Sequence, residues 1–249
     1  DNGDSIMQTK SSSAELKASA RQKLLGKYSI LIGAFLIVEV LTSVISFAVT
    51  ELCGFSSISQ IVIYYLIMIL LSLFSSIFVS GQIYMYLNVS CGRPVVINDV
   101  FHGFKFHPEK AILIELFLMI ITALPAIPAA VFYALWKTGM GTGYIIAFSA
   151  FTCVAIVVIV MLSLTYSQAF YLMYDFPQYT IKQLLKTSRE KMKGNKGRFF
   201  YMNVSFIPLI LLGILSFGIG FLWIEPYITS AQTEFFMDVM QNRSTSSAA

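Results

Sequence analysis

The stretch "FLWIEPYITSAQTEFFMDVM", Phe221 to Met240, decides how the rest of the chain is read. It is rich in aromatic and aliphatic residues, yet it carries Glu225, Pro226, Gln232, Glu234 and Asp238. On hydropathy alone it is either a last membrane crossing or an amphipathic helix lying on the surface. The two choices give different topologies, and the blocks that precede it supply the means to weigh them.

Those blocks are plain. The chain is 57% hydrophobic and 12% charged, with a mean hydropathy of +0.74, against a charged fraction of about 25% in ordinary globular domains. Apolar runs cover 28–50, 58–88, 111–136, 142–174 and 199–217. About 20 helical residues cover a hydrocarbon core of about 30 Å, so each run is long enough to cross. The run from Tyr28 to Thr50 is too long for a signal-peptide core and lacks a small-residue cleavage site, so it reads as the first span. Asp1 to Ile6, ahead of Met7, read as an expression scar or a disordered remnant.

Lys and Arg accumulate in cytoplasmic loops. Five lie between Met7 and Tyr28, three between Ser90 and Ala111, and seven between Phe176 and Phe199. The intervening turns at 51–57, 137–141 and 218–220 contain only Lys137. This places the N-terminus inside. The count does not place the C-terminus, because Arg243 is the only cation that follows 221–241.

An internal comparison goes further. The second, fourth and last segments end in "SGQIYMYLNV", "YSQAFYLMYD" and "SAQTEFFMDV", which puts Gln82, Gln168 and Gln232 in equivalent positions. The first, third and fifth spans each follow an amphipathic, cation-bearing stretch: "SAELKASARQKLLGKY", "INDVFHGFKFHPEK" and "IKQLLKTSREKMKGNKGR". The expected fold is therefore an all-α integral membrane protein with six transmembrane helices. They form three degenerate hairpin units, 7–89, 90–175 and 176–241, each preceded by a cytoplasmic interfacial helix, with 242–249 as a disordered tail. Chance likeness among apolar segments is the competing explanation.

The run M-K-G-N-K-x-R-x-F beginning at Met192, Ser205 to Ile207, and G-I-G-x-L-W-x-x-P-Y from Gly218 to Tyr227 resemble a family of bacterial integral membrane proteins. That family is a domain of unknown function found chiefly in Gram-positive bacteria. It is distantly similar to the membrane domain of some bacterial glycerophosphodiester phosphodiesterases. The opening "SAELKASARQKLLGKY" fits too, so the resemblance covers nearly all of 7–241. Where family members tend to carry Gly-Trp after the S-F-I run, this chain has Pro208, which predicts a kink. The resemblance implies a polytopic bacterial membrane protein and implies no activity; the three-unit parse is what places it in the cytoplasmic membrane with both termini inside.

Candidate chemistry is sparse. Glu39 lies deep in the first span, where an ionisable group costs about 2.5–3.5 kcal/mol on insertion scales. It should face the bundle interior or water, as a proton or cation ligand or as a hydrogen-bonded packing residue. Glu115, near Lys110, is interfacial. Glu234 and Asp238 share a helix face at i, i+4. Together with Glu39, Gln82, Gln168 and Gln232, Glu234 can line a polar cavity; alternatively the glutamines hold helices together, and the two acids pair with cations such as Lys193 or Arg198. Pro125 and Pro128 kink the third span or free carbonyls for a ligand.

Enzyme signatures are missing: there is no G-x-x-x-x-G-K-[ST], H-E-x-x-H or G-x-S-x-G. No catalytic residue, cofactor or metal ligand is assigned. Cys53, Cys91 and Cys153 have no paired spacing, and His102 and His107 lack a third ligand. The carriers built from three two-span units carry a P-x-[DE]-x-x-[KR] signature that this chain lacks.

Two functional readings follow. One is a transport-type protein that binds or moves a small or amphiphilic solute through the polar cavity. The other is a non-catalytic structural or accessory subunit that assembles with a partner protein or with itself. Nucleic acid is not an expected partner, because topology accounts for the basic stretches. The most basic of them offers Lys186, Arg189, Lys193, Lys196 and Arg198 to anionic headgroups or an acidic partner, with Gly194 and Gly197 ending its helix.

Overall fold

The computed structural model describes residues 10–53, 55–139 and 141–244. The readings of residues 1–6 and of the tail beyond 244 lie outside them. Among the described residues every regular element is helical. Five segments have the length and apolarity to cross a membrane: Tyr28–Cys53, Ile58–Ser90, Pro108–Lys137, Gly143–Asp175 and Lys196–Leu215. They match the five expected runs to within a few residues.

The chain divides into two compact units, the first formed by the segments before His107 and after Lys193, the other by His107 to Lys193. In the first unit, α1 (Ser13–Leu24) leads into α2 (Tyr28–Cys53), which pairs with α3 (Ile58–Ser90). A 3-10 turn (Ile97–Phe101) and the short α4 (His102–Lys105) fold back onto α3. In the other unit, α5 (Pro108–Ala123), a 3-10 turn (Leu124–Ala126) and α6 (Ile127–Lys137) form one arm. The second arm is α7 (Gly143–Tyr166) and α8 (Ala169–Asp175), on which α9 (Ile181–Met192) packs. The first unit is completed by α10 (Lys196–Val204), α11 (Ile207–Leu215) and α12 (Phe221–Ser244).

Proline positions explain the interruptions. Pro125 lies within the 3-10 turn that separates α5 from α6 and Pro128 in the first turn of α6, and each lacks the N–H that would continue the α-helical ladder. Pro208 stands just inside α11, after a break at Ser205 and Phe206. The kink expected there is present.

Two of the basic stretches fold alike in detail. Both α1 and α9 have 12 residues and open on a capping box, Ser12 with Glu15 and Thr180 with Gln183. Each ends on an extended cap residue followed by a left-handed glycine, Gly26 at φ 76° and Gly194 at φ 80°. Glycine takes that conformation without the Cβ clash that other residues suffer. The next helix then starts two residues later. Gly197 does not end the α9 helix as expected; it lies within α10. In the middle stretch a left-handed residue again precedes the next long helix, but it is His107 at φ 50°.

The helix over 221–244 answers the opening ambiguity in part. Ser230, Ala231, Thr233, Glu234, Phe235, Phe236, Asp238 and Val239 are all buried. At 100° per residue they point in every direction around α12, so its C-terminal half is enclosed on all sides by protein. A helix resting on a surface would keep one polar face open; this half keeps none. It packs against α1, α2, α3 and α10. α12 also runs to Ser244, past the expected boundary at 241.

Burial is uneven along the spans. In α3 the buried residues run from Ser76 to Ser90, while Ile58 is 82% exposed at the other end. Contiguous exposed apolar surface on this scale suits lipid rather than water. In α3 the packed end is the one that leads into the basic stretch following it.

Candidate functional site

The densest polar chemistry lies where α1 docks on α10 and α12. Leu16, Ala20 and Leu24, at i, i+4 and i+8, form the buried stripe of α1. That seating brings the neighbouring stripe, Ser19 and Lys23, against α12. Lys23 Nζ lies 2.8 Å from both carboxylate oxygens of Glu234, and Ser19 Oγ donates to Glu234 Oε2 at 2.7 Å. One turn on, Arg198 donates to Asp238 Oδ2 at 2.7 Å and to the Ser11 carbonyl at 2.6 Å. The Ser11 amide donates to Asp238 Oδ1 at 3.2 Å.

Burying a carboxylate without a cation is expensive, so each buried acid here has its own. Asp238 pairs with Arg198, one of its two expected partners. Glu234 does not; its partner is Lys23, from the other end of the sequence. Gln232 Nε2 donates to Asn203 Oδ1 at 2.8 Å, joining α12 to α10. Lys17 caps the break between α10 and α11, donating to the Ser205 carbonyl at 3.2 Å with its ammonium 4.1 Å from the Phe206 ring centroid. Partial burial, reinforced by Arg21, lowers the Lys17 pKa.

A second centre is made of backbone. At Gly81 an added Cβ would stand 2.0 Å from the Val100 carbonyl oxygen, and at Gly103 one would stand 2.1 Å from that of Ile77. The two glycines let α4 and the turn before it lie directly on α3. His102 stacks on Tyr84 there, with centroids 3.8 Å apart and planes within 11°. Burial lowers the His102 pKa, which Asp99 partly offsets and Lys105 reinforces.

The remaining predicted residues are placed as follows. Glu39 is exposed, one position past Val38 on the buried stripe Leu31, Ala34 and Val38 of α2. It lies within electrostatic reach of Glu225, whose side chain bonds Thr229. Gln82 is half-buried, next to the Gly81 contact. Gln168 occupies the break between α7 and α8; its Nε2 donates to Ser167 Oγ at 2.8 Å, while its Oε1 is buried with no partner. Glu234 and Gln232 thus share the α12 network, while Gln168 belongs to the other unit. Lys186, Arg189 and Lys193 are exposed and Lys196 is half-buried. Arg198 is committed to Asp238.

Sequence reasoning missed Ser11, Lys17, Ser19, Lys23 and Asn203, and the pair Gly81 and Gly103. One signal was available: Ser19 and Lys23, at i, i+4, form a polar stripe beside the apolar stripe Leu16, Ala20 and Leu24, and both reach Glu234. Among the described residues no group of three His, Cys, Asp or Glu is arranged to hold a metal ion, and Cys53, Cys91 and Cys153 are free thiols.

No curated protein sequence and no solved structure matches the chain. A family model described as "Protein of unknown function (DUF975)" matches residues 7–243. The match spans nearly the whole multi-helix chain, including both the α1 dock and the α12 network, and the protein belongs to this DUF975 family.

Proposed function

We propose that this protein is a non-catalytic structural or accessory subunit of a bacterial cytoplasmic membrane, working by assembly with a partner protein or with itself. The observation that carries this reading is the fate of its polar residues. Glu234 is held by Lys23 and Ser19, and Gln232 is bonded to Asn203. Groups committed to helix–helix bonds are not available to a passing solute. Interhelical bonds of this kind contribute about 0.6 kcal/mol on average, and the two ion pairs add to them.

The proposed topology has six crossings in three hairpin units, with both termini cytoplasmic. Its support is a contact pattern that recurs within each unit. The α3 end packs on the turn and α4 that follow it, α7 and α8 pack on α9, and α12 packs on α1. In each case a returning arm meets a basic stretch, and in the last case that stretch is the one at the start of the chain. The left-handed junctions at Gly26, His107 and Gly194 repeat with it. A Gram-positive source and the kinship with phosphodiesterase membrane domains belong to the same proposal.

The transport-type reading is the alternative. Its support is Glu39, Glu225 and the unpartnered Gln168 acceptor, since a buried acceptor left without a donor costs about 1–3 kcal/mol. Purification of the chain from native membranes in mild detergent separates the two. A stoichiometric partner or a defined homo-oligomer supports the assembly reading; a monomer stabilised by a small solute supports transport instead. A reporter fused at the C-terminus tests the sixth crossing, and external exposure would rule it out.

A further inference from the structure

The α9 helix carries a row of cations that the protein does not use. Lys182, Lys186 and Arg189 recur at i, i+4 and i+7 along one side of α9, and Lys193, the cap residue at i+11, extends the line. All four are exposed, and among the described residues none has an ion-pair partner. The face next to the row, Leu184, Leu185, Ser188 and Met192, is buried. Ser188 Oγ donates to the Thr165 carbonyl at 3.0 Å, which fixes the rotation of α9 against α7. The cations cannot turn inward.

Other cations are spent differently. Lys17 caps the Ser205 carbonyl, Lys23 holds Glu234, Arg198 holds Asp238 and Lys110 donates to the Pro177 carbonyl. Orientation in a membrane requires cations on one side of it, but it does not require four of them in a row, unpaired and facing one way. On α9 itself the single acid is Glu190, beside the row.

Distance points to the surface that this row meets. Five residues separate α9 from the end of the fourth crossing segment at Asp175, and three separate it from the fifth at Lys196. At about 3.5 Å per extended residue the shorter tether reaches about 14 Å. That reach is an upper limit; the Ser188 bond to Thr165 holds α9 against the fourth crossing segment itself, so the row stands beside the membrane surface, whose charge is felt over a Debye length of about 8–10 Å at moderate salt. We propose that the exposed row Lys182, Lys186, Arg189 and Lys193 is a docking surface for the headgroups of an anionic lipid bilayer. This rests on the reading of the five segments as membrane crossings. It differs from the sequence-based set by including Lys182 and excluding Lys196, which is half-buried at the start of α10, and Arg198, which is taken by Asp238.

The test uses the full chain in nanodiscs that contain spin-labelled phosphatidylglycerol or spin-labelled phosphatidylcholine. The measured quantity is the ratio of the two lipids held at the protein boundary. The parent protein should prefer phosphatidylglycerol, and rising salt should erase the preference. Each neutralised cation should lower anionic-lipid occupancy beside α9 about fivefold at low salt. The combined variant Lys182→Gln, Lys186→Gln, Arg189→Gln, Lys193→Gln should therefore lose most of the preference, and the charge-keeping Lys182→Arg, Lys186→Arg, Lys193→Arg should retain it.

A folded glutamine variant with the parent's ratio would overturn the proposal, as would a parent ratio insensitive to salt. The salt titration decides the matter if the glutamine variant fails to insert. An unchanged ratio accompanied by loss of a co-purifying acidic protein would overturn the lipid assignment in favour of a protein partner. Failure of the topology reading is distinguishable: impermeant labelling would then place α9 and α1 on opposite sides, whatever the lipid ratio.

Discussion

Replacing Gly103 by alanine puts a methyl group 2.1 Å from the Ile77 carbonyl oxygen, and replacing Gly81 puts one 2.0 Å from that of Val100. Ordinary contact begins at 3.4 Å, so the deficits are 1.3 Å and 1.4 Å. Both obstacles are backbone, so relief requires α4 and its preceding turn to lift from α3 as a body. Overpacking of this kind costs about 1–3 kcal/mol. At Gly81, within a long helix, alanine recovers about 1 kcal/mol of helix propensity, which leaves a net loss of up to about 2 kcal/mol. The double variant discriminates further. A single lift relieves both clashes, so Gly81→Ala with Gly103→Ala should cost little more than the worse single change, a departure from additivity expected of touching sites. Gly197→Ala is the control: it stands in α10 with no neighbour within 4 Å and should gain up to about 1 kcal/mol. The assay is reversible unfolding in mixed micelles, followed by the fluorescence of Trp136 and Trp223. Single variants as stable as the Gly197→Ala control, or losses that add in the double variant, would refute the close-approach reasoning.

Truncating either Arg198 or Asp238 to alanine should cost about 3 kcal/mol, because a buried charge loses its partner; in the same assay the double variant should cost clearly less than the sum. His107→Gly should stabilise the protein by about 1 kcal/mol or leave it unchanged, since a side chain at φ 50° carries strain of about 1–3 kcal/mol that glycine avoids. A loss in thermal stability would show that the His107 contact with Glu109, at 2.9 Å, outweighs that strain. The lowered pKa of His102 means that the fold favours its neutral ring. Its contribution is therefore present above the ordinary histidine value of about 6.5 and is lost as pH falls through the lower, folded value. His102→Phe should flatten stability between neutral and mildly acid pH, and an unchanged slope would assign that dependence to another group.

Five crossing segments were legible in the sequence because hydropathy over about 20 residues is a local property, as are the breaks at Pro125, Pro128 and Pro208. The junction glycine Gly194 was legible for the same reason, since a left-handed cap is decided by its own residue. Gly197 was misread because a second glycine three positions on looks the same in a string, although α10 has already begun there. The pairing of Asp238 with Arg198 was one of two options that charge alone offered. Lys23 as the partner of Glu234 was not on offer, because its position depends on where α1 returns.

Composition, periodicity and charge by themselves determined that this is a multi-pass helical protein with its cations gathered in three stretches. These properties belong to short windows, and each window carries its own free-energy preference for lipid, interface or water. Only the tertiary structure decided what the polar residues of Phe221 to Met240 are for. Their meaning depends on partners more than 200 positions away, such as Ser19 and Lys23 for Glu234 and Ser11 for Asp238. A buried carboxylate is tolerable only where a cation is held within hydrogen-bonding distance. That condition is met by the packing of α1 on α12, and no local pattern in either segment states it.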